Sequence, residues 1–377
     1  MRKYFGTDGI RRIANTELTP ELVYKVAKAG AYVLSKHTDH APTIFIGRDT
    51  RISGTLIESA MTAGFLSYGA NVKMLGVMPT PAVAYLTKKF KADASVVISA
   101  SHNTFEFNGV KYFSNKGMKI PDELEEEIEE VMDSGKINEL TAVNDKIGTS
   151  EIATELLDEY VYFFRKNFEE DLERLNRDDF VVAVDTANGA TSVVADKVFT
   201  VLGIKHHILN DSPNGININD GCGSTHLEML KQYVIDKKCS LGIAYDGDGD
   251  RCLAVDENGN EIDGDKIIAI ISQYLKSKGK LNKDTIVATV MSNLGLNKYA
   301  KQNELNFVQT KVGDRYVLEE MLKNGYNLGG EQSGHVICLD YNPTGDGILT
   351  SLMIIRAILE QGKKASEVAS IMKAYPQ

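Results

Sequence analysis

The four cysteines of this chain, Cys222, Cys239, Cys252 and Cys338, contain no C-x-x-C pair, so neither a zinc knuckle nor a dense disulfide framework is indicated. Reduced thiols are the default. No uninterrupted apolar run approaches the ~18 residues of a membrane span, and Met1-Arg2-Lys3-Tyr4-Phe5-Gly6 leads into polar sequence without a signal-peptide apolar region. A cytoplasmic protein without membrane insertion is the expectation. Cations are also in short supply. There are 42 Lys and Arg against 52 Asp and Glu, a formal charge of −10 with a pI near 5.3, which argues against a nucleic-acid or anionic-membrane surface. Any phosphate must be met locally.

What is present is a globular composition on a long chain. Apolar residues make up 43% and charged residues 25% of the 377 positions, and at roughly 150 residues per domain the length suggests about two and a half domains. Three stretches alternate short β-branched runs with longer amphipathic ones, the pattern of βαβ units. The expected fold is therefore α/β, with three consecutive domains on mixed, mostly parallel sheets. In the first, strands are expected at Thr43 to Gly47, Asn71 to Leu75 and Ala94 to Ala100. Leu22, Val26, Ala29 and Val33 mark one face of a helix opened by Thr19-Pro20-Glu21. The polar stretch Asp133 to Ser150 reads as a linker. Strands Phe180 to Asp185 and Leu241 to Tyr245 belong to the second domain. The third has strands at Thr285 to Val290 and Asn306 to Gln309, with helices around Asp263 to Lys278 and Ile348 to Leu359. The expected domains are residues 1–150, 151–256 and 257–373.

Strands end in small, polar loops: Gly47-Arg48-Asp49-Thr50-Arg51, Ser99-Ala100-Ser101-His102-Asn103, Asp185-Thr186-Ala187-Asn188-Gly189, Asp246-Gly247-Asp248-Gly249-Asp250-Arg251 and Gly329-Gly330-Glu331-Gln332-Ser333-Gly334-His335. Ligands of open α/β sheets bind beyond the carboxyl ends of strands, so these loops are expected to converge on a cleft. Asp246, Asp248 and Asp250 alternate with glycines, which lets a tight backbone aim three carboxylates at one hard cation, with Mg²⁺ the natural choice. A calcium loop is the rival, because Glu257 falls at its twelfth position. Arg251 at its sixth position and flanking strand-like residues speak against it. A metal-free acidic turn is the third option. Ser101 follows the apolar run Val96-Val97-Ile98, a place from which an exposed hydroxyl can act as a nucleophile, or from which it can merely cap a turn. Glu331, Ser333 and His335 suit the binding of sugar hydroxyls and the shuttling of a proton, though an ordinary polar loop reads the same way. Arg11, Arg48, Arg51, Lys111, Arg251 and Arg315 are the cations placed to meet phosphate.

Taken together these loops resemble the α-D-phosphohexomutase superfamily over nearly all 377 residues. The resemblance is carried by Phe5-Gly6-Thr7-Asp8-Gly9-Ile10-Arg11, Gly47 through Gly54, Ile98 through Asn103, Asp246 through Arg251, and Gly330 through His335. Gln332, Cys222-Gly223-Ser224-Thr225-His226 and Val290-Met291-Ser292-Asn293-Leu294-Gly295 resemble the glucosamine branch more than phosphomannomutase or phosphoglucomutase.

The resemblance implies a phosphoserine enzyme that interconverts glucosamine 6-phosphate and glucosamine 1-phosphate through a 1,6-bisphosphate, on the route to UDP-N-acetylglucosamine and peptidoglycan. It implies Ser101 as phosphoryl carrier and, through a phosphoserine oxygen, as a fourth Mg²⁺ ligand beside Asp246, Asp248 and Asp250. Arg11, Lys111 and Arg251 would stabilise the transferred group. Glu331 and Ser333 would read sugar hydroxyls, and Lys111 and His335 would do acid–base work. Gly313-Asp314-Arg315 would set which way round the sugar sits. A homodimer through the first domain and a membrane-anchored cyclic-dinucleotide synthase as partner are also implied. Two positions depart from the family pattern, Arg12 where Gly is common and Thr104 where Pro often follows Ser-His-Asn. Family members carry a fourth domain whose R-x-S-G-T-E loop grips the second phosphate, and this sequence stops at Tyr375-Pro376-Gln377 where that domain would begin. Arg51-Ile52-Ser53-Gly54-Thr55 imitates the loop but is followed by Leu56, and it is rejected as a substitute. The expectation is a chain without the fourth domain and with poor turnover. The competing reading is a non-catalytic partner-binding module on the same fold.

Overall fold

A computed structural model describes residues 3–6, 8–36 and 38–376; Thr7 of the first motif and Gln377 lie outside them. The chain divides into two compact units, Met1–Tyr160 with Pro213–Ile218, and Val161–Ser212 with Asn219–Gln377. In the first unit the order is β1 (Ile10–Ile13), α1 (Pro20–Leu34), β2 (Thr43–Arg48), α2 (Gly54–Tyr68), β3 (Asn71–Val77), α3 (Thr80–Phe90), β4 (Ala94–Ile98), β5 (Phe107–Ser114), α4 (Asp122–Asp133) and β6 (Ser150–Ile152). These strands form one sheet, ordered β1-β5-β4-β2-β3-β6. Strands β4, β2, β3 and β6 pair in parallel, and β5 runs antiparallel to both β4 and β1. Helix α1 starts where its sequence directs: the Thr19 hydroxyl accepts from the Leu22 amide at 3.3 Å and Pro20 occupies the first turn. Its buried face includes Val26, Ala29 and Val33, with Leu22 half-buried against the same core.

The stretch expected to be a linker is instead packed onto the first unit. Ile137 is buried, the Ala142 and Gly148 amides donate to Ser67 O (2.8 Å) and Leu66 O (3.1 Å), and Lys28 Nζ donates to Thr141 Oγ1 at 2.9 Å. Polar side chains hid this because the attachment is made largely by backbone groups, which every residue carries. The segment delivers β6 to the edge of β3.

The next elements are α5 (Leu157–Glu173), β7 (Val181–Asp185), α6 (Ala195–Val201), β8 (Lys205–Leu209), α7 (Glu228–Lys237), β9 (Leu241–Tyr245), β10 (Cys252–Asp256) and β11 (Glu261–Ile262). They are followed by α8 (Gly264–Ser277), β12 (Thr285–Thr289), α9 (Leu294–Gln302), β13 (Asn306–Thr310), α10 (Asp314–Asn324), β14 (Leu328–Gly330), β15 (Val336–Cys338), α11 (Gly347–Gln361) and α12 (Ala365–Ala369). The second unit holds two mixed sheets, β11-β10-β9-β7-β8 and β13-β12-β14-β15. Helix α11 is buried at every position from Gly347 to Ile358, which makes it the central helix of this unit. No helix among the described residues is long and apolar enough to cross a membrane.

Candidate active site

In the first unit β4 is buried at all five positions and paired on both sides, so the loop at its carboxyl end has a fixed base. Ser101 adopts φ 52° there, a left-handed conformation that costs a serine about 1–3 kcal/mol and persists only if its surroundings hold it. Arg51 supplies the hold. Its guanidinium donates to Ser101 O (3.1 Å) and Asn103 O (2.5 Å) and pairs with Asp49, both side chains being fully buried. The Ser101 amide donates to Ser99 Oγ at 2.9 Å. Ser101 thus stands at a strand end as expected, but it is buried, 1% exposed, because the loop is drawn inward. Arg48 is paired with Glu58 at 3.1 Å. Arg48 and Arg51 are therefore spent on structure, which also disqualifies Arg51 to Thr55 as a phosphate anchor. His102 Nδ1 lies 3.5 Å from Ser101 Oγ, long for a hydrogen bond.

Arg11 and Lys111 meet at one carboxylate. Asp8 Oδ2 takes Arg11 at 3.0 Å and Lys111 at 3.1 Å, and Asp8 Oδ1 takes Lys119 at 2.6 Å. Burial alone pushes the Asp8 carboxyl up, but Lys111, Lys119 and Arg11 outweigh it and hold it well below the usual range. Arg11 also donates to Asn103 Oδ1 at 3.2 Å, which joins this cluster to the Ser101 loop. Arg12 donates to Lys3 O at 3.0 Å, and the Thr104 side chain hydrogen-bonds Glu106 and helps hold that carboxyl down, so both departures from the family pattern have local structural work.

In the second unit the antiparallel strands β9 and β10 carry Asp246, Asp248 and Asp250 in the turn between them. These residues are 1%, 0% and 4% exposed, with ligand oxygens all within 4.8 Å of one another. Three buried carboxylates this close repel one another unless a cation sits among them, and an all-oxygen donor set fits a hard ion such as Mg²⁺. The residues fit the metal. The flanking strands exclude the helix–loop–helix of the calcium reading. Burial works against the Arg251 charge, yet Asp250, Asp246, Asp248 and Glu331 together raise its pKa.

The other expected segments of this unit gather beside the acidic loop. Glu331 Oε1 accepts from the Gly313 amide at 3.1 Å. His335 lies 3.5 Å from Asp250 through Nδ1 and 3.5 Å from Asp314 through Nε2. The Gly345 amide donates to His335 Nε2 at 3.1 Å, which puts the ring proton on Nδ1, facing Asp250. Gln332 Nε2 donates to Asp263 Oδ2 at 3.2 Å, and the Gly264 amide donates to Gln332 O at 2.9 Å. Ser333 is exposed and Arg315 half-buried.

Sequence reasoning missed three parts. Thr344-Gly345-Asp346-Gly347 braces the acidic loop: the Gly347 amide donates to Gly249 O at 2.9 Å, and a side chain at Gly345 would come within 2.6 Å of the His335 ring. A small-residue run ending in a helix cap was the available signal, since Asp346 Oδ1 accepts from Leu349 N at 3.0 Å. Asp185 was placed at the head of a strand-end loop, but its bracing role was missed: it accepts from the Ala187 and Gly223 amides and from Asn210, each at 2.9 Å, tying two of the motifs together, and burial pushes its carboxyl up. Lys119 is the third, and no sequence pattern marked it.

Residues 2–139, 158–259 and 263–375 match domains I, II and III, respectively, of phosphoglucomutase/phosphomannomutase, each described as an alpha/beta/alpha domain. The chain belongs to this family of phosphosugar mutases, intramolecular phosphotransferases of the phosphohexomutase superfamily. Within it the chain is similar to phosphoglucosamine mutases: that of Acetivibrio thermocellus is 53% identical and that of Ruminiclostridium cellulolyticum 52%, each alignment covering all of this chain and 83% of the relative. The fold matches a crystal structure of a phosphoglucomutase/phosphomannomutase family protein from Burkholderia thailandensis, with a TM-score of 0.85 at 21% identity over 100% of this chain and 81% of that one.

Proposed function

We propose that this chain interconverts glucosamine 6-phosphate and glucosamine 1-phosphate, with Ser101 as phosphoryl carrier and a hexosamine 1,6-bisphosphate as intermediate. The observation that carries the reading is the Ser101 loop: a serine in strained backbone at the end of a buried strand, tied by a buried arginine, in a unit that gathers three cations around one carboxylate. In the transfer step the phosphorus–oxygen bond to Ser101 breaks and one to the sugar hydroxyl forms. Lys111, an ammonium paired with Asp8, is the candidate for the proton transfers: it gives a proton to the leaving serine oxygen and, neutral once it has done so, takes the proton of the sugar hydroxyl. Arg11 and Arg251 oppose the charge of the transferred group. Glu331, Ser333 and the Gly313 to Arg315 loop hold the sugar. His335 was expected as a second acid–base group; its acceptor bond from Gly345 and its Nδ1 facing Asp250 favour a share in orienting that carboxylate.

Asp246, Asp248 and Asp250 would hold Mg²⁺, with an oxygen of phosphorylated Ser101 as a further ligand; the ion supplies neutralisation of charge on the transferred phosphoryl group. The choice of glucosamine over glucose or mannose rests on the names of the 52–53% identical relatives and on Gln332. Supply of UDP-N-acetylglucosamine for peptidoglycan, a cytoplasmic setting, a homodimer and a cyclic-dinucleotide synthase partner follow from the family resemblance alone and belong to the proposal. So does the division into residues 1–150, 151–256 and 257–373. Peptide mass spectrometry of freshly purified protein is expected to show about 80 Da, one phosphate, on the Ser101 peptide. Phosphate found only elsewhere would sink the assignment.

A further inference from the structure

Lys119 is given no role in the transfer step above, yet it makes the shortest of the three contacts to Asp8. It sits beyond a tight turn after β5, in which the Gly117 amide donates to Ser114 O (2.9 Å), the Ser114 amide donates to Met118 O (2.8 Å), and Phe113 bridges Lys119. The turn folds Lys119 back toward the carboxylate that Lys111, on β5 itself, also meets. Its ammonium takes Oδ1 at 2.6 Å, which leaves Oδ2 to Arg11 (3.0 Å) and Lys111 (3.1 Å). A carboxylate anchored at one oxygen cannot swing, and its plane then fixes where the two cations on the other oxygen lie. Lys111 is 2% exposed and depends on that placement. Arg11 passes it on through Asn103 to the loop that carries Ser101.

We propose that Lys119 is a positioning residue for phosphoryl transfer at Ser101, acting through Asp8 to aim Arg11 and Lys111 at the phosphoryl group. The inference rests on the Ser101 reading above and assigns Lys119 no contact with the transferred group. A residue of this kind changes how fast a bound donor reacts far more than how tightly it binds.

The test is a single-turnover reaction of the dephosphorylated 377-residue chain with glucose 1,6-bisphosphate and Mg²⁺, following phosphate on the Ser101 peptide by mass spectrometry. Lys119→Met and Lys119→Gln are each expected to lower the maximal rate tenfold or more while the half-saturating bisphosphate concentration stays within threefold. Lys119→Arg, which keeps the charge, is expected to recover to within threefold of the parent rate. Thermal unfolding midpoints are read on all three. A parent that reacts while the Met and Gln variants match its rate overturns the inference alone, and so does an Arg variant as slow as Met with parent-like melting. A parent that gains no phosphate on Ser101 overturns the Ser101 reading and this inference with it.

Discussion

Asp248 is fully buried with Asp246 and Asp250 close by, so Asp248→Asn removes one anionic ligand while keeping the volume. Mg²⁺ affinity is expected to fall at least about tenfold, the lower end of what losing even an outer partner of a metal ligand costs. Calorimetry showing unchanged binding would refute the ligand set. The spacing of these carboxylates was legible because alternate residues in a glycine-rich turn can face one point. The contrast with Asp8 and Asp185 was not legible. Cations hold Asp8 down, whereas burial leaves Asp185 raised despite its three hydrogen bonds from uncharged donors, and only the folded chain reveals which company each keeps.

Helix α8 shows what an element's start can carry. Asp263 caps it, accepting from the Lys266 amide at 3.0 Å, and two residues on Asp265 is fully buried, its Oδ2 accepting from the Asn293 amide at 2.6 Å. Burial pushes the Asp265 carboxyl up to about 6 from 3.8, against the Asn293 and Ser292 hydrogen bonds. The folded state therefore holds this proton more tightly than the unfolded state does, and the residue's contribution to stability worsens as pH rises from about 4 to about 6, then stays level. The gap amounts to at most about 3 kcal/mol. Urea unfolding of Asp265→Asn against the parent is expected to show an advantage for Asn that grows from pH 4 to pH 6 and holds at pH 7; an advantage that shrinks over that range would refute the assignment. Helix α1 could be read from its Thr19-Pro20-Glu21 start, because a cap is a local interaction between neighbours. The segment after α4 could not, since its attachments to Ser67 and Leu66 are non-local and made by backbone. Lys119 was invisible for a related reason: only the turn after β5 brings it to Asp8.

Across the whole molecule the cysteines are unevenly placed. All four are free and buried, and all lie in the second unit. Burial pushes the Cys222 and Cys338 thiols up to about 12 and raises Cys239 and Cys252 as well, so native thiolate is scarce at neutral pH. A thiol reagent at pH 8 is expected to leave the native protein essentially unlabelled and to label four sites in strong denaturant. At intermediate urea its rate should report opening of the second unit alone, while hydrogen exchange along α1 follows the first. Rapid labelling of native protein would contradict the burial.

Pro213–Ile218 belongs to the first unit, where the Ile52 amide donates to Gly215 O at 2.9 Å, although β7 and β8 precede it along the chain. A ribosome releases a chain from its N-terminus, so two strands of the second unit emerge before the first unit receives its last piece. Synthesis therefore cannot finish one unit and then begin the other, as strings of independent domains do. The two must mature in an interleaved order, and the nascent first unit waits incomplete until residue 218 has left the exit tunnel.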